Sequence, residues 1–373
     1  MRMILTQMPI QFTCRSMKLN KLILLLSILF VACEKEAEQG EPTPTGEIRA
    51  IVVNEGQFGY GTASITALLE NGETQQDVFR KLNGRPMGDV AQSMTKIDGR
   101  FYVPLNNSKK IEVFDSKTFQ SIETMSIKAD SVGLDVIPMY VQHLGGDSIA
   151  VTDQKTNSRL MIMDINHEKK RDALRRTIDL NGRSFQMQLV ENKLFVGGDE
   201  LVVFDLKNLT AEGKRPIKKV NGKTIQLVDF TKLVMDSQDR LWVLGKTHIY
   251  CIDPFTEKVV LTLDVSHLEI NDWVSCIDIS PDRNTVYFNS SRKVYTIDIK
   301  NPTVPSKPII NPPTDNDGWS VYLMTISKEN TIFFIEALYG SISRGKVYEY
   351  DPSDGKEISM FKAGIFPHFI YFE

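Results

Sequence analysis

From residue 47 to the C-terminus, apolar and polar positions alternate in short runs, and Gly, Asp, Asn or Pro interrupts each run after a few residues. No 3.6-residue period persists long enough for a substantial amphipathic helix. One unit keeps returning: a strand, a short gap, then a strand ending in Asp and a turn. It reads as 101–103 with 111–115, 149–151 with 160–164, and 194–196 with 201–205, ending at Asp115, Asp164 and Asp205. It continues as 241–243 with 249–253, 286–288 with 294–298, and 332–334 with 347–351, ending at Asp253, Asp298 and Asp351. A degenerate first copy, 51–53 with 65–69, carries Glu70 in the place of the Asp.

These acids recur about 41–53 residues apart, the period of propeller blades. A third strand precedes each copy after the first: 90–97, 139–144, 185–190, 232–235, 274–279 and 321–326. Asp98-Gly99, Gly145-Gly146-Asp147, Asp236-Ser237 and Pro281-Asp282 follow four of them and suit tight hairpins. The first copy lacks this strand, and the chain ends in an apolar run of matching phase, 366–372. The pattern therefore predicts an all-β, seven-bladed β-propeller over 47–373, closed when the C-terminal strand enters blade one. Closure removes the unpaired N–H and C=O groups that an open ring would leave on two sheet edges. The recurring Asp has a local task, bonding the N–H groups of its own turn. One per blade on one rim, these acids are too far apart to converge on a metal.

The chain has 373 residues, 42% hydrophobic and 24% charged, with a net charge of −3. That is ample core material and a poor match to nucleic acid, whose phosphates call for a cationic surface. Residues 1–33 contain Arg2, Arg15, Lys18 and Lys21 and no acid, so the remainder is more acidic still. Lys18 and Lys21 precede an apolar run, 22–32, too short to span a bilayer comfortably. Residues 1–33 are expected to be a signal peptide, with Met17 a candidate for the true start; Cys14 would then never be made. Residues 34–46 are charged, Pro-bearing and poor in apolar side chains, so they read as a flexible tether.

The segment Phe30-Val31-Ala32-Cys33 resembles a bacterial lipobox, which implies lipidation of Cys33. The acids that follow it resemble the surface-export signal of Bacteroidetes lipoproteins. The resemblance implies an outer-membrane lipoprotein exposed on the cell surface, against the alternative of one facing the periplasm. The repeats resemble the YVTN/YncE-type seven-bladed propellers. Blade one adds Asn54-Glu55-Gly56-Gln57-Phe58-Gly59, Ala63-Ser64-Ile65 and the run 83–94, and Asn106-Asn107-Ser108 and 111–113 continue it. These are similar to the opening of a Bacteroidetes lipoprotein branch that includes proteins capturing cobalamin (vitamin B12) for a TonB-dependent outer-membrane transporter. The resemblance thus implies a small-molecule ligand, cobalamin or a related corrinoid, and such a transporter as partner.

Blade loops alternate between two faces. The face opposite the recurring Asp turns holds the richer loops, and converging loops on a rigid scaffold place side chains around one axis. Blade one offers Asn54, Glu55, Phe58 and Tyr60 among several glycines; blade two offers Asp89, Asn106 and Asn107. Tyr140, Asp153 and Gln154 follow in blade three, Phe185 in blade four, and Asp272, Trp273 and Asn289 in blade six. Trp319, Glu336 and Tyr339 of blade seven and His368 of the closing strand complete the set. Aromatics give flat apolar area and amides give directional bonds, a mixture that suits a large amide-edged molecule, and equally a glycan or peptide. Simpler roles stand beside these: Trp273 and Trp319 packing between blades, residues 106–108 as a plain turn, and His368 either lining the channel or bonding a carbonyl.

No GxSxG, phosphate-binding glycine loop or HExxH motif occurs, and His143, His167, His248, His267 and His368 show no ligand-like spacing. The expectation is a protein without catalytic residues, metal or cofactor. Three function classes stay in play: a small-ligand-binding lipoprotein, a protein- or glycan-binding surface scaffold, and a metal-dependent propeller hydrolase using Glu55, Asn106, Asp153 and Asn289. Cys251 and Cys276 sit in alternating strands with apolar neighbours and read as buried thiols, with a disulfide as the alternative.

Overall fold

The computed structural model describes residues 46–373 except 128–135, 156, 167–172, 181, 220, 312–318 and 339–341, and describes no side chains for 319–322 and 338. The described chain is nearly all β and forms seven antiparallel sheets. Blade one is assembled from both ends: Pro367–Phe372 is innermost, followed by Ile48–Asn54, Ser64–Leu69 and Thr74–Gln75. Val52 pairs with Ile370 and Ala50 with Phe372, so the expected closure is present. The other blades run in chain order, with inner strands Thr95–Ile97, Pro138–Gly145, Ser184–Val190, Leu233–Met235, Ile277–Ile279 and Trp319–Ile326. In blades two, five and six the inner strand is shorter than the apolar pattern suggested. Among the described residues blade six has three strands, and its outer edge at Val294 is covered by the irregular segment at Ile309 and Ile310.

Strand parity explains why the middle strands read as continuous apolar runs. A blade is buried on both faces, and alternate side chains serve different neighbours. Ala50 and Val52 enter the core shared with blade seven, while Ile51 and Val53 enter the core shared with blade two. Trp242 and Leu244 join blade six, whereas Leu241 and Val243 join blade four. Each fully buried Phe of these wedges contributes on the order of 2–3 kcal/mol. The outermost strand Lys258–Asp264 alternates exposed and half-buried positions, which blunts the sheet edge.

The seam is reinforced on both sides. Phe372 meets the ring of Phe333 in blade seven at 5.2 Å, and Tyr371 meets Phe101 in blade two at 5.2 Å. Arg49 forks onto Glu349 at 2.5 and 3.0 Å, and Lys96 pairs with Glu373.

The recurring Asp acts as expected in five blades. Asp115, Asp164, Asp253, Asp298 and Asp351 each accept a backbone N–H from two residues on. Asp205 instead binds Arg215, above a one-turn helix, Leu206–Asn208. A six-residue helix, Val78–Asn83, links blades one and two. Among the described residues no helix is long and apolar enough to cross a membrane. Cys251 and Cys276 are buried, unbridged thiols, and burial pushes each up to about 12.

Candidate functional site

The inner strands begin on the face opposite the Asp turns, and an aromatic wall forms there. Phe230, just before the inner strand of blade five, is its centre. Its ring lies 5.3 Å from Phe185 of blade four, 5.7 Å from Trp273 of blade six and 5.1 Å from His368 of the closing strand. Phe185, Phe230 and His368 are buried, but Trp273 leaves 51% of its surface exposed. A large aromatic half open to water on an otherwise packed wall is an unspent contact surface.

Behind the wall lies an acid. Glu55 accepts from Gln92 Nε2 at 2.9 Å, and its Oε1 lies 3.3 Å from His368 Nδ1. Burial raises the Glu55 carboxyl to about 7, with the Gln92 bond pulling the other way. Burial also lowers His368 to about 4, so its imidazole is neutral at physiological pH. Tyr140, whose hydroxyl engages Gln186, is raised by burial, with Glu55 adding to the effect. Below them the inner strands of blades two to four and Phe369 line a cavity of about 150 Å³, with Ser93, Thr95, Gln142 and Gln186 as polar walls. Further round the axis, Lys232 of blade five bridges Asp278 of blade six and Thr325 of blade seven at 2.5 and 2.7 Å.

Charges brace the rim. Arg183 stacks over Phe185 at 5.4 Å and forks onto Asp199 and Asp229, with contacts of 2.8 and 2.6 Å. Lys246 binds Asp272 at 2.6 Å, and the Asp272 carbonyl accepts the Asp229 N–H. Asp272 is thus a rim brace beside Trp273.

On blade one the loop after Glu55 is stiff. Gly56 adopts φ +80°, and a Cβ there would lie 2.4 Å from the Thr62 carbonyl carbon. Thr62 Oγ1 accepts the Gln57 N–H, and Asp89 accepts the Gly59 N–H and the Asn107 amide. Phe58 and Tyr60 project from this loop with 70% and 69% of their surface exposed.

Several expected mouth residues make bracing bonds within the fold. Asn54 is fully buried; it donates to Ser64 O and Thr66 Oγ1 and accepts the Gly364 N–H. Asp153 accepts the Ile137 and Lys155 N–H groups, and Asn289 accepts the Cys276 N–H while donating to Val274 O. All three stand at the end of the second strand of a blade, where a polar side chain ties the strand to its neighbours. Asp89 and Asn107 organise the blade-one loop, and Asn106 donates its N–H to Val90 O in a turn. Glu336 pairs with Arg292. Asp153 and Asn289 are thus already engaged by backbone groups, and no group of three or more His, Cys, Asp or Glu among the described residues could hold a metal ion. Trp319 opens the inner strand of blade seven, but its side chain, Tyr339 and Cys33 lie outside the described residues.

The residues brought together are Glu55, Tyr140, Phe185, Trp273 and His368. Sequence reasoning did not single out Phe230, Gln92, Arg183 or Gln186. Phe230 had a signal, because like Phe185 and Trp273 it stands at or shortly before the start of an inner strand.

The sequence profile of a family described as a domain of unknown function (DUF5074) matches residues 50–372. No curated protein sequence matches the chain. Among solved structures the chain is similar to a putative 6-phosphogluconolactonase from Bacteroides fragilis NCTC 9343. The identity there is 13% and the TM-score 0.62, over 89% of this chain and 100% of the other. It is also similar to the β-propeller domain of Myceliophteria thermophila Cps50 (Swd1), at 11% identity and TM-score 0.55, over 75% and 89% of the two chains. Kuenenia stuttgartiensis hydrazine synthase matches at 12% identity and TM-score 0.52, over 74% and 87%. At these identities the likeness is one of fold.

Proposed function

The chain belongs to the DUF5074 family, and from that premise we propose that it is a binding protein without catalytic activity, which takes a small ligand at the open face of the ring. The half-exposed Trp273 on the wall of Phe185, Phe230 and His368 carries this reading. It offers a flat apolar platform beside a polar floor, the combination that buries and orients a small molecule. With its resemblance to the cobalamin-capturing branch, the ligand we propose is cobalamin or a related corrinoid. Cys33 would carry the lipid anchor at the cell surface, and a TonB-dependent outer-membrane transporter would receive the ligand.

Titrating the purified protein with cyanocobalamin and following the corrin absorbance and the heat tests this reading. Saturable binding that Trp273→Ala weakens supports it, and no binding at micromolar ligand rejects the corrinoid.

A scaffold role is favoured by a separate observation, the stiff loop that holds Phe58 and Tyr60 in solvent. Rigid exposed aromatics are the anchors of protein and glycan contacts. A glycan array and a pull-down from solubilised envelope, each repeated with Phe58→Ala/Tyr60→Ala, separate this role from small-ligand binding.

A further inference from the structure

The floor of the mouth contains two acceptor oxygens that no described residue engages. Glu55 Oε1 is engaged by Gln92 and lies against His368, but no described residue bonds Glu55 Oε2 or Gln92 Oε1. Gln92 is buried, and the Glu55 side chain leaves 15% of its surface open. An acceptor in so enclosed a place loses much of its hydration and gains more than a surface group when a donor arrives.

The backbone holds this side chain in place. The Glu55 N–H donates to Phe366 O at 2.7 Å, and the Glu55 carbonyl accepts the Val90 N–H at 3.1 Å. Both partners are strained: Val90 has φ +59° and Phe366 φ +48°, left-handed values that such residues rarely adopt. Strain of this kind gathers at ligand clamps, where surrounding structure enforces it. The titratable groups facing Glu55 are His368 on the closing strand and Tyr140 of blade three, and Tyr140 is already bonded to Gln186. Arg183 is held by Asp199 and Asp229 over the ring of Phe185. Among the described residues, none therefore supplies a donor to the two oxygens.

The geometry points to Glu55 Oε2 and Gln92 Oε1 as a subsite for an N–H donor group of the ligand, either a primary carboxamide or a primary ammonium. This rests on the reading of the mouth as a small-ligand site and names the chemistry that its floor selects. A carboxamide would come from an amide-edged molecule such as a corrinoid, and an ammonium from an amine.

The test uses the protein labelled with ¹³C in its histidine rings, which gives five ring signals, with His368 assigned from His368→Asn. The probes are propionamide and propylammonium chloride. At least one probe should shift the His368 signal saturably in the millimolar range. Glu55→Met, which removes both carboxyl oxygens at nearly constant volume, should weaken that shift about tenfold or more, the loss of roughly one hydrogen bond to a charged group. The His143, His248 and His267 signals report that the variant is folded. An ammonium site strengthens as Glu55 ionises and fails in Glu55→Gln; a carboxamide site does neither. If Glu55→Met does not fold, the Glu55→Gln and pH arms decide between these two sources.

Shifts from neither probe, or equal shifts in the wild type and Glu55→Met, overturn the subsite. Cyanocobalamin failing to bind while a probe does would discard the corrinoid and keep the subsite. The reverse would keep the corrinoid and discard the subsite.

Discussion

Glu55 and His368 meet at 3.3 Å across the seam where the two ends of the chain join in blade one. Glu55 follows the first strand of the ring and His368 lies in its last, so closure itself creates the acid–imidazole contact at the axis. The same enclosure disfavours the charged form of both groups, raising the Glu55 carboxyl to about 7 and lowering His368 to about 4.

That enclosure sets a pH dependence of stability. The Glu55 carboxyl, raised to about 7, stays protonated in the folded protein while the unfolded chain ionises near its ordinary 4.5. Between those values only the unfolded state loses its proton, so stability falls as pH rises and the penalty is complete above 7, on the order of 3 kcal/mol. Glu55→Gln should match the wild type in thermal melts near pH 4 and melt higher near pH 8. His368, lowered to about 4, works the other way, and its contribution is lost as pH falls from 6.5 towards 4. A wild-type advantage at alkaline pH would contradict this account of Glu55.

Deleting residues 367–373 should destroy the ring rather than trim it. The strand Ile48–Asn54 would lose its inner partner and expose an unpaired edge next to Val52 and Val53. The expected outcome is aggregation on size exclusion and loss of a single cooperative melt. A monomer with an unchanged melting temperature would show that closure is dispensable.

Arg183 is the brace whose removal should cost most. Arg183→Ala leaves the buried Asp229 without its fork partner, at a cost of roughly 3 kcal/mol in denaturant titrations. Arg183→Lys should recover only part of this, because a point charge cannot span Asp199 and Asp229 together. Full rescue by lysine would mean that charge alone, not the forked geometry, is what matters.

Gly56→Ala should displace the loop that presents Phe58 and Tyr60. The residue combines φ +80° with a Cβ position 2.4 Å from a backbone carbon, and such sites lose roughly 1–3 kcal/mol on gaining a side chain. A melting temperature within error of the wild type would refute the strain. Trp273→Ala, in contrast, should leave stability within about 0.5 kcal/mol, as expected of an exposed side chain.

The blade count, the ring closure and the Asp turns were legible in the chain because they are local or periodic facts. A strand of alternating side chains, a turn acid and a terminal run in the right phase each declare themselves within a few residues. Which polar residues are locked within the fold and which stay open at the mouth was decided only by tertiary structure. Asn54 and Glu55 are neighbours in sequence with opposite fates: one is locked against Ser64, Thr66 and Gly364, and the other is turned to the axis. Phe230, Gln92 and Arg183 gained their roles in the same way, from partners on other blades. Burial, strain and the opposite shifts of Glu55 and His368 are properties of the enclosure the closed ring makes, and no short stretch of chain contains them.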